Sequence, residues 1–254
     1  MKRILLMTSD PRFRRVAQRL SEQGWETVES GDCSKEPCLV LFALNAAQEA
    51  IKEVLQRASA GSRFVIGRAG DEIKALARKR GIHLLCLLEE EAYRKSNAQA
   101  TAEGVLAEIL GKTPRLLGEC RGLVCGFGTC GTVIARLLRR LGAEVWVKTG
   151  ERSTPLAREE GFSLATLSPR EAQRYDFVVN TVESPLFSEE FLAALPAGCV
   201  ILQVASGFSG LCADRLEAQG IRFVPLPGLP GRFAPHSEAD CILHLLQLRE
   251  EEAL

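Results

Sequence analysis

The six residues Gly126-Phe127-Gly128-Thr129-Cys130-Gly131 constrain the fold of this chain more than any others. They match the spacing G-x-G-x-x-G. The apolar run Leu123-Val124-Cys125 precedes them and predicts a strand. Thr132–Leu141 follows, with Val133, Ile134, Leu137, Leu138 and Leu141 on one side of a helix, and Glu144–Val147 predicts a second strand. In that context the motif is a dinucleotide-binding fingerprint. Gly126 permits the tight turn from strand to helix. Gly128 has no Cβ, so the backbone can approach a pyrophosphate, and Gly131 lets the helix pack against the strand. The unpaired N–H groups at the helix start then face the negative charge. Gly126, Phe127, Gly128, Thr129, Cys130 and Gly131 are therefore assigned to cofactor binding.

An NAD site of this kind carries an acidic residue about 20 residues further on, at the tip of the second strand. Here the tip reads Val147-Lys148-Thr149-Gly150-Glu151-Arg152-Ser153. Lys148 and Arg152 suit a 2′-phosphate, and Thr149 can donate a hydrogen bond, so NADP is expected. NAD stays open through Glu151.

The same alternation of short apolar runs and amphipathic helices continues on both sides of the motif. Ahead of it lie strands at Arg3–Met7, Trp25–Val28, Leu39–Phe42, Arg63–Ile66 and Ile82–Leu87, with helices at Pro11–Gln23, Ala46–Ala58 and Asp71–Arg80. Behind it lie strands at Phe177–Asn180, Cys199–Val204 and Arg222–Pro225. Strands alternating with helices mean parallel sheets with helical crossovers. At roughly 100–200 residues per domain, 254 residues make two modest domains. The expectation is an α/β protein with two doubly wound parallel-sheet domains, the second of Rossmann type, joined by a long helix at Glu89–Gly111. Residues 1–95 form the first domain and residues 96–236 the second. The last helix, Ser237–Glu252, is a candidate to pack back on the first within residues 237–254.

Ligands of such sheets bind at the carboxyl ends of the strands. Three loops there stand out: Asn180-Thr181-Val182-Glu183-Ser184-Pro185, Ala205-Ser206-Gly207-Phe208-Ser209-Gly210, and Pro225–His236 with its proline-rich path. Thr181, Val182, Ala205 and Ser206 are assigned to the cofactor crevice.

Composition removes several function classes. Lys+Arg and Asp+Glu both number 32, against the basic excess of a nucleic-acid binder. No apolar run reaches the roughly 20 residues of a membrane span, and the amino terminus lacks the long apolar stretch of a signal peptide. The nine cysteines include no C-x-x-C pair, so they read as small core residues in a reducing cytoplasm, with no metal site.

The motifs resemble those of the dipicolinate synthase family, in its A-type chain. Asn97-Ala98-Gln99-Ala100-Thr101-Ala102-Glu103-Gly104 looks like the family's N-x-x-x-T-A-E-G helix start. Cys125–Gly131 looks like its G-F-G-x-x-G loop. Pro227-Gly228-Leu229-Pro230-Gly231 with Ala234-Pro235 looks like its P-G-L-P-G-x-x-A-P run, and Asp10 and Arg12 sit where it has G-G-D-x-R. The chain departs from the pattern at Thr8-Ser9, at Val182-Glu183, at Gln203 where the family usually has Asp, and at His236 where it commonly has Lys.

The resemblance implies an NADP-linked oxidation of dihydrodipicolinate to dipicolinate during sporulation. It also implies a flavoprotein-like second subunit for a partner, and a homo-oligomeric assembly is expected. Asp10, Arg12, Asn97, Thr101 and His236 are the candidate ligands of a small dicarboxylate. Arg12, Ser206 and His236 are the candidate catalytic residues. Asp10 reads also as a residue that fixes Arg12, or as the cap of the Pro11 helix. Two other readings stand beside this one. One is a cofactor-binding partner subunit or redox sensor without catalysis, and the other a dehydrogenase of another small acid.

Overall fold

The computed structural model describes residues 2–251 apart from 30, 32 and 207–209. Gly207, Phe208 and Ser209 of the second crevice loop, and the Glu252 end of the last helix, lie outside the described residues. The chain divides into two compact units, Met1–Asn97 with Ala234–Leu254, and Ala98–Phe233.

The first unit runs β1 (Arg3–Met7), α1 (Pro11–Ser21), β2 (Glu26–Val28), β3 (Leu39–Phe42), α2 (Gln48–Arg57), β4 (Arg63–Ile66), α3 (Asp71–Arg80) and β5 (His83–Cys86). The strands pair in parallel in the order β2-β1-β3-β4-β5. All four residues of β3 are buried, as expected for a strand covered on both faces. Asp10 caps α1, accepting from Arg12 N, and Pro11 stands at the first helical position. Phe13, Val16, Ala17 and Leu20 recur at helical spacing and are buried. Gly81 ends α3 in the left-handed region at φ 64°, where a side chain is disfavoured.

Helix α4 (Glu91–Lys112) then carries the chain from the first unit into the second. It starts two residues later than the sequence predicts, because a single 3-10 turn, Leu87–Glu89, follows β5.

The second unit continues with β6 (Arg121–Cys125), α5 (Thr129–Arg140), β7 (Glu144–Lys148), α6 (Thr154–Glu159), β8 (Ser163–Leu164), α7 (Pro169–Ala172), β9 (Phe177–Asn180), α8 (Glu189–Ala193), β10 (Val200–Gln203), α9 (Ala213–Ala218), β11 (Arg222–Pro225) and α10 (Leu229–Phe233). Its strands are also parallel, in the order β11-β10-β9-β6-β7-β8. The order reverses between β9 and β6, as in a doubly wound dinucleotide-binding fold. The doubly wound α/β class predicted from the sequence is therefore the class observed. Strand β8 escaped the sequence reading, since two residues are too few to show a period. The proline run is also more ordered than a loop, because α10 lies inside it.

The last helix, α11 (Pro235–Glu251), belongs to the first unit. Its Ala239, Ile242, Leu245 and Leu246 join Phe13, Val16 and Leu20 of α1 in one apolar cluster. Among the described residues no helix is long and apolar enough to cross a membrane. Six of the cysteines are buried, Cys130 and Cys241 are half-buried, and Cys212 is exposed.

Candidate functional site

In the second unit the Gly126–Gly131 loop lies at the switch point between β6 and β9. Gly126 has φ 96°, and a Cβ on it would stand 2.2 Å from Thr181 Oγ1. A Cβ on Gly131 would stand 2.1 Å from the Gly126 carbonyl oxygen. These two glycines are demanded by packing. Gly128 differs: it is exposed, and a Cβ there would meet no atom within 4 Å. The protein itself does not require a glycine at 128, whereas a pyrophosphate drawn against the backbone does. The first-turn amides of α5 have no acceptor within their helix, and Thr132 Oγ1 donates to the Phe127 carbonyl at 3.1 Å, fixing the loop. The residues present thus fit a dinucleotide phosphate.

The tip of β7 presents Lys148 and Thr149 half-buried, with Arg152 exposed in a 3-10 turn. The Thr149 and Thr154 hydroxyls share a hydrogen bond of 2.6 Å. Glu151 is exposed in the same turn.

Across the switch point two buried carboxamides tie the loops together. Asn180 Nδ2 donates to Gln203 Oε1 at 2.9 Å and to the Val182 carbonyl at 3.2 Å. Val182 N donates back to Asn180 Oδ1, and Gln203 Nε2 donates to the Ala205 carbonyl at 2.9 Å. Thr181 Oγ1 donates to the Cys125 carbonyl at 2.7 Å. Thr181, Val182 and Ala205 are therefore held as a group, and Ser206 follows, exposed. Sequence reading missed Asn180 and Gln203 as organisers, although two amide residues ending adjacent apolar strands are a readable signal.

The first unit has its own switch point, between β1 and β3, and a buried polar cluster that starts from the β1–α1 turn. The Arg12 side chain is only 4% exposed. Its Nε donates to Asp10 Oδ1 at 3.0 Å, its Nη2 to Asp10 Oδ2 at 2.6 Å, and its Nη1 to Tyr93 Oη at 3.0 Å and Asn97 Oδ1 at 3.3 Å. Glu238 Oε2 stands 3.8 Å from Nη1. Burial opposes charge on Arg12, but the Asp10 hydrogen bonds and the neighbouring groups hold its pKa above the ordinary value.

Asp10 caps α1 and grips Arg12 with the same carboxylate, so the guanidinium is held by groups of the first unit. Glu238 is fully buried, accepting from Ser96 Oγ at 2.8 Å, with no hydrogen-bond partner on Oε2. Burial pushes its carboxyl above the usual carboxylate range, against the pull of Ser96, Tyr93 and Arg12. Burial likewise raises the Tyr93 hydroxyl. Tyr93, Ser96 and Glu238 were missed. The four-residue step from Tyr93 to Asn97 places both on one face of α4, a signal the sequence does carry.

Thr101 is also turned inward, at 2% exposure, with the Cys130 thiol as a hydrogen-bond partner. That contact seats α4 on the start of α5. Three residues on, a Cβ at Gly104 would stand 2.7 Å from the Leu229 side chain. The N-x-x-x-T-A-E-G and P-G-L-P-G motifs thus meet at one close contact. His236 lies in the first turn of α11 and is exposed.

No protein-family model matches the chain. The A-type chain of dipicolinate synthase from Bacillus subtilis is 29% identical over 181 residues, which is 69% of this chain and 59% of that protein. The chain therefore spans less than two thirds of that relative's length. The crystal structure of the corresponding Bacillus halodurans protein superposes with a TM-score of 0.77 at 20% identity, covering 96% of each chain. D-lactate dehydrogenase from Escherichia coli superposes with a TM-score of 0.59 at 13% identity, covering 99% of this chain and 98% of that one.

Two wound sheets, with a glycine-rich loop at the second switch point, define a two-domain α/β protein of Rossmann-type fold. Within that class the chain is similar to the dipicolinate synthase A-type proteins, whose motifs it resembles.

Proposed function

We propose that the chain is an NADP-dependent oxidoreductase that converts dihydrodipicolinate to dipicolinate, a cytoplasmic step of sporulation performed with a second subunit. The observation that carries this reading is the phosphate loop, with Gly128 left open while Gly126 and Gly131 are packed tight. The relative's name supplies the substrate class. Removing one hydride and one proton from a dihydropyridine ring gives an aromatic ring, so the driving force is large. When bound, the nicotinamide supplies the hydride acceptor. What remains for the protein is binding, orientation and one proton.

In this reading the α5 amides and Gly128 hold the pyrophosphate, and Lys148, Thr149 and Arg152 hold the 2′-phosphate. Thr181, Val182, Ala205 and Ser206 shape the crevice. His236 accepts the proton, and Asn97 serves the dicarboxylate. Arg12 acts at one remove, as a positioning residue for Asn97 and Tyr93.

The test is calorimetric titration with NADP and NAD, followed by an absorbance assay for reduced nicotinamide with dihydrodipicolinate, with and without the second subunit. Tighter NADP binding and substrate-dependent absorbance are expected. Binding without turnover under both conditions favours a cofactor-binding partner protein, the second reading, which the enclosure of Arg12 also supports. No binding of either dinucleotide overturns both.

A further inference from the structure

Cys33 and Cys38 bracket a short loop of the first unit. The four residues between them, Ser34, Lys35, Glu36 and Pro37, are all exposed, whereas the two cysteines are 2% and 9% exposed. Both join the apolar cluster that contains Val40, Val54 and Phe64. The surface loop thus enters the core by its two sulfurs.

Both ends of the loop are pinned to the connection between α2 and β4. The Cys33 carbonyl accepts from Ser59 N at 2.7 Å, and the Cys38 carbonyl from Arg63 N at 2.9 Å. Ser62, fully buried, accepts from Cys38 N on Oγ at 3.2 Å. Cys33 Sγ donates to the Val54 carbonyl at 4.0 Å, which leaves its sulfur to accept from the Cys38 thiol, its hydrogen-bond partner. Backbone bonds therefore hold the two sulfurs face to face. Packing alone needs small apolar side chains at these positions, not two sulfurs in contact.

The thiolate is the attacking form of cysteine. Ser62 Oγ stands 4.0 Å from Cys38 Sγ. That hydroxyl and the Arg3 charge favour the Cys38 thiolate, but burial outweighs them and pushes the thiol up. Attack therefore waits for the loop to lift, and its four exposed residues leave it little to break.

We propose that Cys33 and Cys38 are a dithiol site that a small-molecule disulfide oxidises to an internal disulfide. The Cys38 thiolate attacks one sulfur of the oxidant, forming a mixed disulfide and releasing one thiol. The Cys33 thiolate then attacks Cys38 Sγ, forming the internal bond and releasing the second thiol. Two electrons and two protons pass from the protein to the oxidant, which ends as two thiols. The product fastens the loop that leads into β3, and excess thiol reverses it.

The test equilibrates the full reduced chain with mixtures of reduced and oxidised glutathione, then traps the remaining thiols by alkylation. Trypsin cuts after Lys35, between the two cysteines, so their peptides stay joined only through a disulfide. Mass spectrometry is expected to find the joined Cys33 and Cys38 peptides in at least about tenfold excess over any other cysteine pairing, and to find them separate after excess reduced glutathione. Electrophoresis without reductant should show a single-chain species, placing the bond within one copy. Cys33→Ser should stop at a mixed disulfide of Cys38 with glutathione. Should that variant fold poorly, the peptide map of the parent chain decides alone. Alkylation of both cysteines in oxidised glutathione, pairing of either with a third cysteine, or a bond between two copies overturns the proposal.

Discussion

The two units place very different chemistry at the turns that follow their first strands. In the second, the switch point is lined by backbone: glycines, helix amides and carbonyls held by two carboxamides. In the first, side chains fill the place: the half-buried Asp10, Ser96 and Asn97 join the buried Arg12, Tyr93 and Glu238 in one polar cluster. A backbone site is preformed and binds a charge without committing one of its own. A buried charge cluster fixes the elements that carry it and is costly to leave incomplete.

The largest expected effect tests that difference. Arg12→Ala strands Asp10 and Glu238, and should destabilise the first unit by about 3–5 kcal/mol. The two tryptophans fall one in each unit, Trp25 and Trp146. Urea unfolding of single-tryptophan variants should show the Trp25 transition moving while the Trp146 transition and dinucleotide affinity stay put. An unmoved Trp25 transition would show that the cluster does not hold its unit together.

Gly128→Val probes the backbone side. Since no protein atom opposes a side chain there, the fold should persist while dinucleotide affinity falls by at least about 100-fold, equivalent to about 2.8 kcal/mol. Calorimetric titration beside a thermal melt separates the two outcomes. A smaller effect belongs to the tip of β7: replacing Lys148 and Arg152 by Ala should weaken NADP by about 1–3 kcal/mol and leave NAD nearly unchanged. Equal losses for both cofactors would remove the 2′-phosphate assignment.

The smallest effect is a pH slope. Glu238 has its folded pKa raised above the ordinary 4.5, so its contribution to stability is full below that value and lost as pH rises through the folded pKa. Glu238→Gln removes the titration. The stability of the variant relative to the parent should therefore grow as pH rises from 4.5 and then level off, read by urea midpoints across the range. A constant difference would mean that Glu238 does not titrate on folding.

The same contrast explains what was legible in the sequence. The turn at Gly126–Gly131 could be read because a glycine's reason is local: a tight turn and a close helix. The apolar runs of β1, β3, β4 and β9 could be read at their observed bounds because burial on both faces leaves few polar residues. Helix α10 was hidden because Pro230 and Gly231 speak against a helix, while its Leu229 is held by the bare face of Gly104 on α4, far away in sequence. The role of Arg12 was hidden for the same reason. Its partners Tyr93, Asn97 and Glu238 come from helices that only the folded first unit brings together. A lone Arg after a strand looks the same whether it grips a ligand or its own protein.

The Asn180–Gln203 pair carries one further consequence. Neither carboxamide gains or loses a proton at any physiological acidity, and a contact between neutral dipoles is hardly weakened by dissolved ions. The spacing of the loops beyond β9 and β10 is thus a ruler that acidity and brine leave unmarked. A crevice framed by it keeps its dimensions while the charged groups elsewhere in the molecule respond to their surroundings.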